Sequence, residues 1–354
     1  VDMFLENLDK WCDKPPKRIE FWGGEPLVYF KFLQRLVPEL RKRFPADQTV
    51  FTIVSNGSLL TDEIGDFFSK HLILYSISYD SYGQTESRGK DILESQEMCD
   101  IIVRNFKKIN NSFKDFYQNI QLPMRCRFCV VLSNSVLDPY KAVKYIQDKL
   151  NYDVPVQVMP LLGMGNDVIM SNDKLNDITT NIIRIAFKRK KFPINFHLHF
   201  QEFEDIIKTQ KTNDEGFAFC SIGRSSSIVV DLRGNLYPCQ NKLNEFSVIG
   251  NVNNEIVVPP KINSIKRKTC TYCPCLGICR GGCPLAFGNE LVETCRNKFA
   301  FCIGILASFL IYKLDLFPYK ITGPIVRPKR ELVTTKDGSN EIISEYIFPK
   351  YYED

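Results

Sequence analysis

Seven cysteines in the last third of the chain carry its clearest chemistry. They read Cys220-x13-Gly234-x4-Cys239, then Cys270-x2-Cys273-x5-Cys279-x3-Cys283, then Cys295. A thiolate ligand needs partner thiolates a turn or a short loop away, so such spacing marks a metal or cluster site. Seven thiolates exceed what one tetrahedral zinc takes, and they nearly fill two four-iron clusters of four thiolates each. A pair of zinc ribbons is the redox-silent alternative. The Gly234-x4-Cys239 turn, joined to the order of the other cysteines, weighs toward iron–sulfur.

The elements that must position these residues are those of a sizeable α/β protein. With 354 residues and 44% hydrophobic content the chain can bury a large core and is expected to hold two domains. A net charge of +5 on 46 basic and 41 acidic residues favours no polyanion, so no nucleic-acid partner is expected. The basic run Lys188-Arg189-Lys190-Lys191 reads as the solvated end of a helix. His71, His197 and His199 are too scattered for a histidine metal site, and the last two alternate as on one face of a strand. Thirteen cysteines clustered at metal-type spacing, with no signal peptide, suggest a reducing cytoplasm rather than a disulfide framework. The apolar run Phe299 to Tyr312 falls short of the roughly 20 residues a bilayer span needs, so a buried helix and no membrane partner are expected.

Residues 1 to 12 have a helical period with no cap ahead of it. Strands are expected at Arg18–Trp22, Thr49–Val54, Leu72–Tyr79, Gln121–Leu132 and Val154–Met159. Helices are expected at Phe30–Phe44, Asp62–His71, Asp91–Ile109 and Tyr140–Leu150, with a less regular helical stretch from about Lys174 to Thr212. Such alternation predicts parallel strands with right-handed crossovers, as an open sheet or a barrel, with chemistry at the C-terminal strand ends. A hairpin signal, Lys336-Asp337-Gly338, separates Leu332-Val333 from Ile342-Ile343.

Distinctive residues do fall at strand ends. Phe21-Trp22-Gly23-Gly24-Glu25-Pro26-Leu27 follows the first strand, where two glycines would let a ligand touch the backbone. Ser55-Asn56-Gly57 ends the second strand, and Ser78 with Asp80 ends the third. Each alone is an ordinary turn; in this order they direct short polar groups toward one mouth.

In these motifs the chain resembles the radical S-adenosylmethionine enzymes. Its cysteine array resembles the twin-cluster domain called SPASM that follows the barrel in one large branch. The resemblance covers about residues 1 to 300. It implies an α/β fold, a partial (β/α)6 TIM-like barrel lacking its first strand, and then a small cysteine-rich SPASM domain. The implied division is a barrel at 1–165, a helical linker at 166–215, the cluster domain at 216–317 and a tail at 318–354. It implies that Gly23, Gly24, Glu25 and Pro26 hold the methionine end of the cofactor and that Ser78 sits near its ribose. Asn56, Asp80 and Arg88 are further pocket groups; Arg88 either pairs with a cofactor or substrate carboxylate or is an exposed loop arginine. Cys220, Cys239 and Cys283 would hold an inner 4Fe-4S cluster with one place unfilled, and Cys270, Cys273, Cys279 and Cys295 an outer one. Ser221 and Ser225 to Ser227 occupy the interval where some relatives add a cysteine. Cys275 reads as a spare thiol that could fill the open place, and Cys302 as a small hydrophobe in the apolar helix.

The resemblance further implies an oxidoreductase-type maturase acting through a 5′-deoxyadenosyl radical that removes a substrate hydrogen. The default substrate is a ribosomally made peptide or a protein, and the reductant a flavodoxin or ferredoxin. The family's Cys-x3-Cys-x2-Cys, whose cluster binds S-adenosylmethionine, occurs nowhere in these 354 residues, and Cys12, Cys99, Cys126 and Cys129 do not form it. The expectation is therefore that an upstream segment is missing and that the chain alone is inactive. Gln240 stands where sulfatase-maturating relatives carry an aspartate base, which argues for another peptide modification. A non-catalytic cluster protein, for electron transfer or binding, is the rival from another class.

Overall fold

The computed structural model describes residues 1–12, 14–117, 125–161, 169–188, 204, 220, 222, 227–241, 247–253, 267, 270, 273, 275–286, 288–314, 331–334 and 340–343. The expectations for His197, His199, Arg189 to Lys191, Ser221, Ser225 and Ser226 lie outside them.

Helix α1 (Asp2–Trp11) leads into β1 (Arg18–Phe21). Then come α2 (Phe30–Arg43), β2 (Val50–Ser55), α3 (Asp62–Lys70), β3 (Ile73–Ser78), α4 (Gln84–Arg88) and α5 (Gln96–Phe116). Next are β4 (Arg127–Leu132), α6 (Pro139–Leu150), β5 (Val156–Pro160) and α7 (Asn172–Lys188). The five strands form one sheet in chain order, β1-β2-β3-β4-β5, and the first three pairings are parallel. This order is what successive strand–helix crossovers of one hand produce.

Residues fit their elements for local reasons. Thr61 caps α3, its hydroxyl accepting from Ile64 N, and Asp62 and Glu63 follow at the positive end of the helix dipole. Ser95 caps α5 by accepting from Met98 N. In β3 the five residues from Ile73 to Ile77 are all buried, as in a strand covered on both faces. Tyr75, Phe68, Phe106 and Phe128 interlock there with ring centroids 5.3 to 5.9 Å apart.

The chain divides into two compact units. One holds Val1–Val130, Lys144–Gln157 and Ser227–Pro259; the other holds Val131–Val143, Val158–Ser226 and Pro260–Asp354. The first contains most of the sheet and a small antiparallel sheet of β6 (Val229–Val230), β7 (Asn235–Tyr237) and β8 (Gly250–Asn251). The second contains α8 (Leu276–Cys279) and α9 (Gly288–Leu314), and α9 packs along α7. Gly304 permits the close approach, since a Cβ there would meet Ile182 at 3.0 Å. The Thr179 hydroxyl lies 2.9 Å from the Ala300 carbonyl, and Ser308 Oγ donates to the Ile182 carbonyl at 3.2 Å. The expected hairpin forms as β9 (Glu331–Thr334) and β10 (Asn340–Ile343), antiparallel with Leu332 opposite Ile342.

The length expectation for the apolar helix is corrected. At 27 residues α9 is long and apolar enough to cross a membrane, the one such helix among the described residues. Two-thirds of its apolar window, 67%, is nonetheless buried within the fold, as in a core helix. Hydropathy stopped the reading at Lys298, because Arg296, Asn297 and Lys298 are polar yet buried.

Candidate functional site

The C-terminal ends of β1, β2 and β3 lie side by side, with Phe21 opposite Ile53 and Ser55 opposite Ile77. Glu25 ties the first two ends together: one carboxylate oxygen accepts from Leu27 N at 3.1 Å and the other from Asn56 N at 2.8 Å. It thereby caps the turn that begins at Pro26. The Asn56 side chain in turn accepts from Ser58 N at 2.9 Å and from Ser58 Oγ at 2.7 Å, an Asx turn. A Cβ on Gly23 or Gly24 would meet nothing within 4 Å, so both glycines present bare backbone to open space.

Ser78, Asp80 and Arg88 also come together. Arg88 Nε donates to Asp80 Oδ2 at 2.8 Å, and Nη2 donates to Asp80 Oδ1 at 3.3 Å and to Ser78 Oγ at 3.1 Å. Arg88 is therefore neither an unpaired loop arginine nor committed to an outside carboxylate: it sits on α4, and a carboxylate of the same loop neutralises it. A short helix over 84–88 was not expected from the sequence. Gln84 anchors it by accepting from Asp80 N at 2.8 Å.

Beneath this edge is a buried network that sequence reasoning missed. Asp91, 6% exposed, accepts from Tyr79 Oη at 2.6 Å, from Tyr145 Oη at 2.7 Å and from Leu93 N at 2.8 Å. Burial, then the bond to Asp91, pushes the Tyr145 hydroxyl up to about 12 and Tyr79 higher still. Both stay donors at any physiological pH. No spacing in the sequence announces a contact between residues 54 positions apart.

The buried cysteines near the sheet are structural. Burial pushes the Cys126 thiol up to about 12 and raises Cys99 and Cys129 as well. Cys126 is fully buried and Cys129 half-buried, as expected for residues on opposite faces of the strand.

The seven array cysteines divide between the two units. Cys239 lies in the first, at the end of the β6–β7 hairpin. Gly234 makes its turn possible with φ +83°, a left-handed conformation hostile to a side chain. Asp231 Oδ1 accepts from Arg233 N at 2.8 Å and from Asn235 N at 2.9 Å, and Oδ2 accepts from Tyr237 Oη at 3.1 Å. Burial alone would raise the Asp231 carboxyl, but these donors outweigh it and hold the group below its ordinary value. A carboxyl whose folded value is depressed contributes stability above its unfolded value of about 3.9, and that contribution is lost as pH falls from there through the lower folded value. The hairpin is accordingly expected to loosen below about pH 4, and Asp231→Asn to flatten that dependence in amide-exchange protection of Gly234 and Asn235.

Cys270 to Cys283 and Cys295 lie in the second unit with a compact framework. Successive tight turns, Cys273 N to Cys270 O at 3.0 Å and Leu276 N to Cys273 O at 3.0 Å, wind the chain into α8. Arg280, Gly281 and Gly282 then take φ of 54°, 78° and 67°, three left-handed residues that reverse the chain toward Cys283. Arg267 grips that reversal, its guanidinium donating to the carbonyls of Gly281 (2.9 Å), Cys283 (2.9 Å), Pro284 (3.3 Å) and Ala286 (3.1 Å). The sequence reading passed over Arg267, since an arginine three residues before a cysteine has no motif of its own.

This donor set suits a thiolate-bound group. The thirteen cysteines form no disulfide. Asn241 N donates to Cys239 Sγ at 3.4 Å, a bond that favours a thiolate. The buried Lys298 ammonium lowers the cost of negative charge at Cys279, although burial and nearby thiols hold that group well up overall. Among the described residues no three His, Cys, Asp or Glu side chains already stand at metal-binding distances.

No protein-family model matches the chain. Its sequence is 23% identical over 309 residues to the radical SAM cyclopropyl synthase TigE of Paramaledivibacter caminithermalis, covering 82% of this chain and 59% of that enzyme. It is 21% identical over 318 residues to the serine-type anaerobic sulfatase-maturating enzyme of Klebsiella aerogenes, covering 83% and 73%. The chain thus spans well under two-thirds of the first of these relatives. Among solved structures, native anSMEcpe with bound AdoMet superposes with a TM-score of 0.56 at 18% identity, covering 89% of this chain and 88% of that one. Native anSMEcpe with bound AdoMet and Cp18Cys peptide gives 0.55 at 16% identity with the same coverage. The homologues of this chain are radical SAM enzymes, and its α/β fold with a parallel sheet matches that of a SPASM-domain member.

Proposed function

We propose that the chain is the substrate- and auxiliary-cluster-bearing part of a radical SAM enzyme that modifies a peptide or protein. The observation that carries this reading is the conjunction of two built features. One is the open glycine turn latched to Asn56 by Glu25. The other is the cysteine-rich segment wound around α8 and gripped by Arg267. In this reading residues 1–165 are a partial barrel, and the cysteine array belongs to a SPASM domain carrying two 4Fe-4S clusters in a cytoplasmic enzyme. When bound, S-adenosylmethionine and the cluster that opens it supply the hydrogen-abstracting radical, and the auxiliary clusters exchange electrons or hold substrate.

The chain's own residues position these groups. The bare amides and carbonyls of Gly23 and Gly24 receive the polar end of the cofactor, and Glu25 fixes the turn by accepting from two backbone amides rather than from the ligand. Ser78 and Asp80 are oriented by Arg88, which leaves the second Ser78 lone pair and its proton for a sugar hydroxyl. Gln240 holds no ionisable proton, so a side-chain crosslink fits the site better than sulfatase maturation, which resemblance assigns to an aspartate there. A peptide partner agrees with the peptide-bound neighbour.

The chain supplies no Cys-x3-Cys-x2-Cys, so the test uses protein that includes such a segment, with its clusters loaded anaerobically. Dithionite is expected to yield 5′-deoxyadenosine from S-adenosylmethionine, and Glu25→Ala to lower that yield at least tenfold. No 5′-deoxyadenosine from fully loaded protein would sink the catalytic reading.

A further inference from the structure

Helix α9 carries two cysteines, Cys295 and Cys302, seven residues apart. Seven residues are nearly two full turns, so both thiols leave the same face about 10 Å apart along the axis. Lys298 lies between them on that face. By position in the sequence Cys295 closes the array, whereas packing pairs the thiols differently.

Cys295 packs with Ala286, Leu291 and Val292, and the array cysteine resting against that cluster is Cys283. Cys302 is 0% exposed and packs with Cys275, Ile278 and Phe299, and the array cysteines resting against it are Cys273 and Cys279. The turn that joins Cys273 N to Cys270 O at 3.0 Å brings Cys270, itself buried, to the same segment. We propose that Cys302, in place of Cys295, completes the thiolate set formed with Cys270, Cys273 and Cys279. The assignment rests on the cluster reading above and changes one ligand within it.

The Cys275 thiol, buried in the same cluster, has both Cys273 and Cys302 as side-chain hydrogen-bonding neighbours, so these three sulfurs share one neighbourhood. Thiols gathered in one packed cluster can turn toward a common group by rotation about χ1, and each gives up its proton on binding. Lys298, buried beside them, offers the positive charge that a cluster of four thiolates needs in an apolar setting. A small hydrophobe in this place would pack equally well, so the distinction is chemical and must be tested chemically.

The parent chain and the variants Cys279→Ala, Cys302→Val and Cys295→Val are purified and reconstituted without oxygen, then assayed for iron, sulfide, zinc and the electron paramagnetic resonance of the reduced state. Cys279→Ala identifies the signal of the outer group. Cys302→Val is expected to lose that same signal with about four irons and four sulfides per chain, and Cys295→Val to keep it. Retention of the signal in Cys302→Val, or its loss in Cys295→Val, overturns the assignment. If valine at 302 prevents folding by circular dichroism, Cys302→Ala, which also removes the donor atom, gives the same readout. Zinc without sulfide in the parent chain would instead defeat the cluster reading, and zinc content across the same variants would still identify the ligand.

Discussion

Replacing Asp91 with alanine is expected to destabilise the sheet-bearing unit by about 3–5 kcal/mol. The carboxylate accepts from two tyrosine hydroxyls and one backbone amide at 2.6 to 2.8 Å. Alanine leaves all three donors without their acceptor, at roughly 1–3 kcal/mol for each that stays dry. Tyr79 and Leu93 are buried, so water cannot readily replace the carboxylate there, while the half-buried Tyr145 can recover part of its loss. Asp91→Asn keeps the shape and one acceptor oxygen and is expected to cost less than half as much. Urea unfolding of the two variants, followed by circular dichroism, measures this difference. A shift below about 1 kcal/mol for the alanine variant would show that the network is not holding the loop. The functional consequence follows from position. Tyr79 directly follows β3, one residue after Ser78, so a loosened network displaces Ser78, Asp80 and Arg88 together.

Gly234→Val is the second large change, expected to cost about 2–4 kcal/mol in the β6–β7 hairpin. Two penalties add. At φ +83° any Cβ is strained, by roughly 1–2 kcal/mol. A Cβ there would also stand 2.8 Å from Val252 Cγ2, and Val252 is fully buried, so it has little room to yield. Because the turn sets the approach to Cys239, the variant is also expected to bind less iron than the parent chain. Iron content and the urea midpoint, measured on one preparation, check both. An unchanged midpoint would mean that the turn relaxes without cost and that the glycine of the spacing has another reason.

Much of this was legible because strands and helices obey simple periods. The end of β1 was placed within one residue, as were both ends of β2 and β3, since each strand is a short apolar run between turn residues. The start of α5 was placed too early, at Asp91, because that side chain caps a separate turn over Ile92–Glu94 before Ser95 caps the helix itself. Helix α9 was read as half its length because its first half is polar in sequence but buried in the fold. The strand-end residues were found, but not their wiring. That Glu25 serves Asn56, or that Arg88 is neutralised by Asp80, depends on loop geometry no spacing records. The cysteines were found as a set by their spacing, whereas their grouping depends on which face of α9 meets which loop. Cys302 packs as the small hydrophobe expected of it, but the company it keeps with Cys273, Cys275 and Cys279 is what counting along the chain does not record.

The grip of Arg267 on four carbonyls of one loop, those of Gly281, Cys283, Pro284 and Ala286, bears on how such a protein is assembled. A guanidinium keeps its charge at every pH a fold survives, and its planar donors bind carbonyls without asking for any metal. The reversal from Arg280 to Cys283 therefore acquires its shape from the polypeptide itself. Ordering that segment in advance removes much of the entropy an incoming cluster would otherwise have to overcome. On the proposed cluster reading, maturation then becomes the turning of thiols onto a backbone already in place, and a chain stripped of iron should be able to accept it again without refolding.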